Sequence, residues 1–268
     1  MKCEIYNDHF QNFKRYNIPK AQLVIADIPY NIGDNAYGSS PLWYIDGDNK
    51  NGESDKAKTS FFRTDENFRI AEYMHFCNRL LKKEPKQKGE APAMIVFCAF
   101  DQIQTVIDYG KKYGFTKSYP LFFIKNYSPQ VLKANMRIVG ATEFAVVLYR
   151  DKLPKFRNGR QYDNETGKII RGTGKMYFNW FKWERDGKNI PKIHPTQKPV
   201  NLLKELISIF TDENDVVIDP VAGSGTTLRA AAELGRNAYG FEIDKEFYKK
   251  ANEQILSNIF YQEKIKGF

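Results

Sequence analysis

Histidine and cysteine are scarce in this chain of 268 residues, three of each, and acidic residues are outnumbered by basic ones, 32 against 41. Cys3, Cys77 and Cys98 have no metal-site spacing, and Cys98 lies in an apolar run where a thiol packs as a small hydrophobe. Disulfides and structural zinc are therefore not expected, nor is any metal. No run of about 18 apolar residues exists to cross a membrane. Met1-Lys2-Cys3-Glu4 lacks the apolar stretch of a signal peptide, so a cytoplasmic protein without a membrane partner is expected. Internal repeats and low-complexity tracts are absent as well.

What the chain does contain suits one α/β domain with a small appendage, since its length is short for two independent catalytic domains. Net charge is +9 and unevenly placed. Between Asp151 and Lys192 stand eleven Lys/Arg against five Asp/Glu, together with Phe156, Tyr162, Tyr177, Phe178, Trp180, Phe181 and Trp183. Basic and aromatic side chains interleaved in this way suit phosphate contact plus base stacking. The alternative is a solvated insertion with a small aromatic core of its own.

Apolar runs alternating with helical periodicity predict a mainly parallel sheet with helices on both faces. Strands are expected at Leu23–Ala26, Met94–Ala99, Leu121–Ile124, Phe144–Tyr149, Val216–Ile218 and Ala238–Phe241, with a short one at Cys3–Tyr6. Helices are expected at Glu66–Lys83, capped by Thr64 or Asp65, and at Gln102–Tyr113, capped by Asp101 and ended by Gly114. Further helices are expected at Val200–Phe210, Thr226–Leu234 and Lys245–Ser257, the last capped by Asp244. Residues 32–63, rich in Gly, Asn, Asp and Ser, are too long for a connector and read as a substrate loop or lid.

Three short motifs carry chemistry. Asp219-Pro220-Val221-Ala222-Gly223-Ser224-Gly225-Thr226-Thr227 follows an apolar strand and opens a helix. Glycines there let a ligand approach the backbone at the carboxyl edge of the sheet. The third glycine of a dinucleotide fingerprint is replaced by Leu228, and no lysine follows Gly225, so a pyrophosphate-bearing nucleotide is disfavoured. Glu242 ends the next strand, where an acid can accept both ribose hydroxyls of a nucleoside or can simply be solvated. In His194-Pro195-Thr196-Gln197-Lys198-Pro199, Thr196 and Lys198 offer a hydroxyl and an ammonium suited to a carboxylate. His194 reads as a shaping or hydrogen-bonding residue. Finally, Asp27-Ile28-Pro29-Tyr30 closes the Leu23–Ala26 strand with a carboxylate, a rigid turn and an aromatic ring. Asp27 and the Ile28 carbonyl can accept from a base amine and stabilise its developing positive charge, and Tyr30 can stack on an extruded base.

Together these motifs resemble the amino-methyltransferases of DNA, N6-adenine and N4-cytosine types. Their order, with the target motif first and the glycine loop last, is similar to the circularly permuted beta group. The resemblance implies a Rossmann-like, S-adenosylmethionine-dependent methyltransferase fold plus a small basic target-recognition insertion, with S-adenosylmethionine as cofactor and DNA as partner. It divides the chain into a target-base half at 1–150, the insertion at 151–192 and a cofactor half at 193–268. It implies that Asp27, Ile28, Pro29 and Tyr30 grip the base and that Ala222, Gly223, Ser224, Gly225, Thr226 and Thr227 form the cofactor loop. Asp219 and Glu242 would hydrogen-bond the cofactor, Thr196 and Lys198 would hold its methionine end, and Asp8 would sit near its adenine unless it is a plain turn residue. Thr142-Glu143-Phe144 is a further, unspecific landmark. The family has proline where this chain has Ile28, which loosens the loop while keeping a carbonyl. Within the family Asp at the first motif position leans toward adenine and Ser toward cytosine, so transfer to N6 of adenine is expected, with N4 of cytosine as the alternative. RNA or protein-amide methyltransferases more often carry Asn there. From a different class, a non-catalytic DNA-binding protein on a decayed methyltransferase fold would bind DNA without the cofactor. A homodimer and a cognate restriction endonuclease are compatible partners, and the recognition sequence is not readable.

Overall fold

The computed structural model describes residues 1–29, 68–127, 130–133, 138–194, 196–257 and 259. Tyr30, Pro195, the expected loop 32–63 and the expected caps Thr64 and Asp65 lie outside them. Ten strands are described: β1 Cys3–Tyr6, β2 Leu23–Asp27, β3 Ala93–Cys98, β4 Lys117–Lys125, β5 Gln130–Lys133, β6 Ile138–Gly140, β7 Thr142–Tyr149, β8 Trp180–Trp183, β9 Val216–Asp219 and β10 Asn237–Phe241. Helices α1 Ile70–Leu80, α2 Ile103–Lys112, α3 Val200–Phe210, α4 Thr226–Glu233 and α5 Lys245–Lys250 accompany them, the last continuing as a wider π-helical stretch, Ala251–Leu256.

Eight strands form one sheet in the order β1-β10-β9-β2-β3-β7-β4-β8, and β5 and β6 pair separately. All neighbours are parallel except at β7, which runs antiparallel to both β3 and β4. The central strands are apolar along their length because helices cover both faces: every residue of β3 is buried, as expected of parallel strands inside a doubly covered sheet. β4 and β8 alternate instead, since only one of their faces meets the core. One core cluster joins α3 and α4 to one face through Leu203, Leu206, Ile207 and Leu228. The other joins α1 and α2 to the opposite face through Tyr73, Met74, Phe76 and Val106.

The expected strands are all present, some longer than expected. Three expectations need correction. α1 starts at Ile70 and stops at Leu80, because Arg69 and Leu81 are extended and Lys82 donates its N–H to the Ala21 carbonyl, which turns the chain toward β2. Asp101 does not cap α2; a 3-10 turn, Phe100–Gln102, precedes it, and Gln102 Oε1 accepts from the Ala99 N–H at 3.0 Å. Residues 151–192 are not a separate appendage, since β8 is an edge strand of the main sheet, paired to β4. The stop at Gly114 agrees, with a left-handed φ of +87° after α2, and Gly235 ends α4 in the same way at +79°, a conformation glycine adopts at little cost.

Candidate active site

The sheet edge explains why motifs from opposite ends of the chain belong together. β2 and β9 are parallel neighbours, Val24 facing Ile218, so Asp27 and Asp219 end adjacent strands at the same edge. Their charges interact, Asp27 helping to raise the Asp219 carboxyl. Two strands on, β10 delivers Glu242, and β1 beside it delivers Asp8. The antiparallel β7 begins at this edge and so brings Glu143.

The glycine loop is held from several sides. Gly223 and Gly225 adopt φ of +52° and +78°, a region where a side chain is strained. Gly223 N–H donates to Glu242 Oε2 at 2.8 Å, and the other carboxylate oxygen accepts from Asp244 N–H at 2.7 Å. Burial pushes Glu242 up to about 7. Asp219 accepts from Val221 N–H at 3.1 Å and bonds the Thr227 side chain, with burial pushing its carboxyl up to about 7 as well. Ser224, Thr226, Thr227 and Ala222 are buried, and Ala222 N–H donates to the Phe241 carbonyl. A residue not singled out from sequence, Gly240 on β10, makes this closeness possible: a Cβ there would stand 2.8 Å from Leu228 Cδ1 and 3.1 Å from the Asp219 carbonyl. An isolated glycine inside a strand signals such an approach.

His194 lies against this loop and packs its ring on Phe247, centroids 4.3 Å apart. Burial and the nearby lysines hold its imidazole down to about 4, so it is neutral near pH 7 and suits a shaping role. Thr196 Oγ1 is 3.0 Å from His194 Nδ1. Asp8 is engaged locally, accepting from His9 N–H, Asn12 and Tyr16, an arrangement that organises the turn after β1.

Asp27 ends β2 beside the buried Ile28, whose N–H donates to the Phe97 carbonyl. The carbonyl of Pro29 accepts from Gln102 Nε2 at 3.0 Å. With its oxygen on Ala99, Gln102 thereby ties the turn after β2 to the turn after β3, partly replacing the rigidity of the proline absent at Ile28. The Lys198 ammonium contacts Asp27 Oδ2 at 2.5 Å and Glu143 Oε2 at 3.1 Å. Glu143 also pairs with Lys125. Among the described residues no cluster of three or more His, Cys, Asp or Glu could hold a metal, and no helix is long and apolar enough to span a membrane.

A crevice at the carboxyl edge of a doubly wound sheet, with a left-handed glycine turn and a strand-end acid, defines the nucleoside-binding α/β class to which the methyltransferase fold belongs. Residues 21–253 match the family model described as DNA methylase, the N6/N4 methyltransferases, and the chain belongs to that family. Its permutation is visible in the sheet, where β9 and β10 from the end of the chain lie between β1 and β2. The DNA adenine methyltransferase YhdJ of Escherichia coli is 26% identical over 92% of this chain and 80% of its own length. The type II methyltransferase M.HindIII of Haemophilus influenzae is 45% identical over 76 residues, 27% of this chain and 25% of that protein. M.BglII of Bacillus subtilis is 33% identical over 48% of this chain and 40% of that protein. The similarity thus spans well under half the length of these two type II enzymes. Among solved structures, a complex of M1.HpyAVI with SAM superposes with a TM-score of 0.60 at 23% identity, covering 94% of this chain and 98% of that one. The cytosine-N4-specific PvuII DNA methyltransferase does so with 0.65 at 14% identity, covering 95% and 86%.

Proposed function

We propose that this protein transfers the methyl group of S-adenosylmethionine to the N6 amine of adenine in DNA. The observation that carries the reading is the adjacency of Asp27 to the Asp219–Thr227 loop on neighbouring strands, which puts an amine acceptor beside a nucleoside cradle. The cradle suits the cofactor: backbone left open by Gly223 and Gly225, and a buried Glu242 carboxylate for ribose hydroxyls. When bound, the cofactor supplies an electrophilic sulfonium methyl. The chain supplies the rest. Asp27 and the Ile28 carbonyl accept the two amine hydrogens, favouring a pyramidal nitrogen and stabilising the positive charge that grows on it during in-line attack. Tyr30 stacks on the extruded base, and the turn tied by Gln102 keeps the acceptors in place. No covalent enzyme intermediate is required, so the buried Cys77 and Cys98 have no catalytic part.

The name of YhdJ favours adenine. The likeness to PvuII methyltransferase keeps N4 of cytosine as the second reading, and the type II relatives favour a companion endonuclease. The test is incubation with unmethylated genomic DNA and S-adenosylmethionine, digestion to nucleosides and mass spectrometry. N6-methyladenine is expected; N4-methylcytosine would retain the chemistry and change the base. Asp27→Ala is expected to abolish transfer while leaving cofactor binding, by calorimetry, within about threefold, since Asp27 acts on the transition state and not on the cofactor.

A further inference from the structure

We propose that Lys198 and Glu143 are positioning residues for Asp27: a chain of alternating charge built around the buried Lys198, Asp27–Lys198–Glu143–Lys125, keeps the amine-gripping carboxylate ionised and oriented. The inference rests on the methyl-transfer reading and deepens it. The chain is assembled from four places in the sequence, the ends of β2 and β4, the start of β7 and the segment before α3. Lys198 is 6% exposed, and its ammonium lies 5.3 Å from the Phe97 ring and 5.5 Å from the Trp183 ring, between which it is aimed at Asp27 Oδ2. Lys125 lies 4.7 Å over the other side of the system, above Trp183. Two cations and two anions leave the group neutral as a whole.

Withdrawing four charges partly or wholly from water adds little to stability compared with apolar side chains of the same volume, so the arrangement calls for another role. Two electrostatic demands meet at Asp27. Its neighbour Asp219 on β9 disfavours its ionisation, and an ammonium at hydrogen-bond distance offsets that. Yet a lysine paired with Asp27 alone would cancel the negative charge needed against a developing cation. Glu143 resolves this by sharing the ammonium: burial lowers Lys198, and the two carboxylates more than offset it, holding it above the ordinary lysine range. Lys125 in turn helps hold Glu143 ionised, below its ordinary range despite burial. The groups facing Asp27 are thus Lys198, Glu143 and Lys125, Asp219 from β9, and from β3 the Cys98 thiol, which burial and Asp27 push up to about 12.

The competing assignment is that Lys198 binds the cofactor carboxylate. Wild type, Lys198→Met and Glu143→Gln should be compared by circular dichroism, by calorimetry with S-adenosylmethionine, and by single-turnover methylation between about pH 5 and pH 9. For Lys198→Met, cofactor affinity is expected within about threefold of wild type, with a rate near pH 7 lowered about 100-fold and an acid limb moved up by about one unit or more. For Glu143→Gln, affinity is again unchanged and the plateau rate falls about tenfold. Its acid limb moves down, because Lys198 then serves Asp27 alone. Opposite displacement of the two limbs is a signature that simple loss of packing does not produce. Lys198 also lowers the Asp219 carboxyl, so part of the upward shift in Lys198→Met belongs to Asp219, whereas the downward shift in Glu143→Gln belongs to Asp27. A cofactor affinity reduced about 30-fold or more in Lys198→Met with an unmoved limb would assign Lys198 to the cofactor and overturn the proposal. Limbs displaced in the same direction would overturn it too. If Lys198→Met fails to fold, Glu143→Gln decides alone, and a wild-type plateau in that variant rejects the proposal. Wild-type protein that methylates while both variants match it overturns the inference and leaves the methyl-transfer reading intact; wild type that binds cofactor and methylates no nucleic acid overturns both.

Discussion

At the scale of single residues, the site depends on carboxyl groups held away from their ordinary titration ranges. Burial raises both Glu242 and Asp219 to about 7. Raised carboxyls favour the folded state fully below about pH 4, and that contribution is lost as pH climbs through about 7. A ribose donating hydroxyl protons to Glu242 prefers the charged form. Binding should therefore release a proton, and cofactor affinity should rise between about pH 6 and pH 8. Calorimetry in buffers of different ionisation enthalpy reads this directly. Glu242→Gln should flatten most of the pH dependence and weaken binding about tenfold or more; an unchanged pH slope in that variant would remove Glu242 from the cofactor site. Asp27, Glu242 and the two loop glycines were apparent in the sequence because each closes an apolar strand or opens a helix. Gln102 and Lys125 were not, since their roles consist of reaching across to another turn.

At the scale of elements, α4, the glycine loop and β10 approach one another closely at Gly240. A Cβ there would meet Leu228, Ala222 and backbone at 2.8 to 3.1 Å. Gly240→Ala should cost about 1–3 kcal/mol, measured as a lower denaturant midpoint, and should weaken cofactor binding by displacing the loop. A variant with unaltered stability would mean that β10 and α4 separate without penalty. The helix ends show how far local rules reach. Asp244 accepts from the N–H groups of Glu246 and Phe247 at the start of α5, as its sequence position predicts. Asp101 fails at α2 because a neighbouring turn supplies a different partner, a choice made outside its own window.

At the scale of the whole molecule, the basic segment at 151–192 divides its cations between packing and surface. Lys155 Nζ contacts Asp215 at 2.6 Å and Asp212 at 2.7 Å, and Arg157 reaches Glu90 and Asp212. These cations fasten the segment to the opposite edge of the sheet from Asp27. Lys155→Met would take one cation from Asp215 and Asp212, which keep Lys82 and Arg157, and should destabilise the fold by about 1–3 kcal/mol, visible in thermal melts. Arg160, Lys168, Arg171, Lys175 and Lys182 remain exposed, beside an exposed stacked pair, Phe178 and Trp180. Affinity for DNA should fall steeply with salt, and Arg160→Ala with Arg171→Ala should lower the slope of log affinity against log salt by up to about 1 per lost phosphate contact. A salt-independent affinity would rule out this surface as a DNA-binding face.

By itself the sequence determined the alternation of strands and helices and the parallel character of the sheet, and it marked the glycine loop and the strand-end acids Asp27, Asp219 and Glu242. Those features follow from short-range periodicity and from residue types whose backbone or charge admits few uses. Only the tertiary structure decided that Trp180–Trp183 extends the main sheet, that Gly240 lies close against Leu228 and Ala222, and that the Lys198 ammonium meets Asp27 and Glu143. A strand's partner and an ammonium's partner are chosen by which segments the sheet order brings into contact, and that order brings together residues as distant in sequence as Asp27 and Lys198.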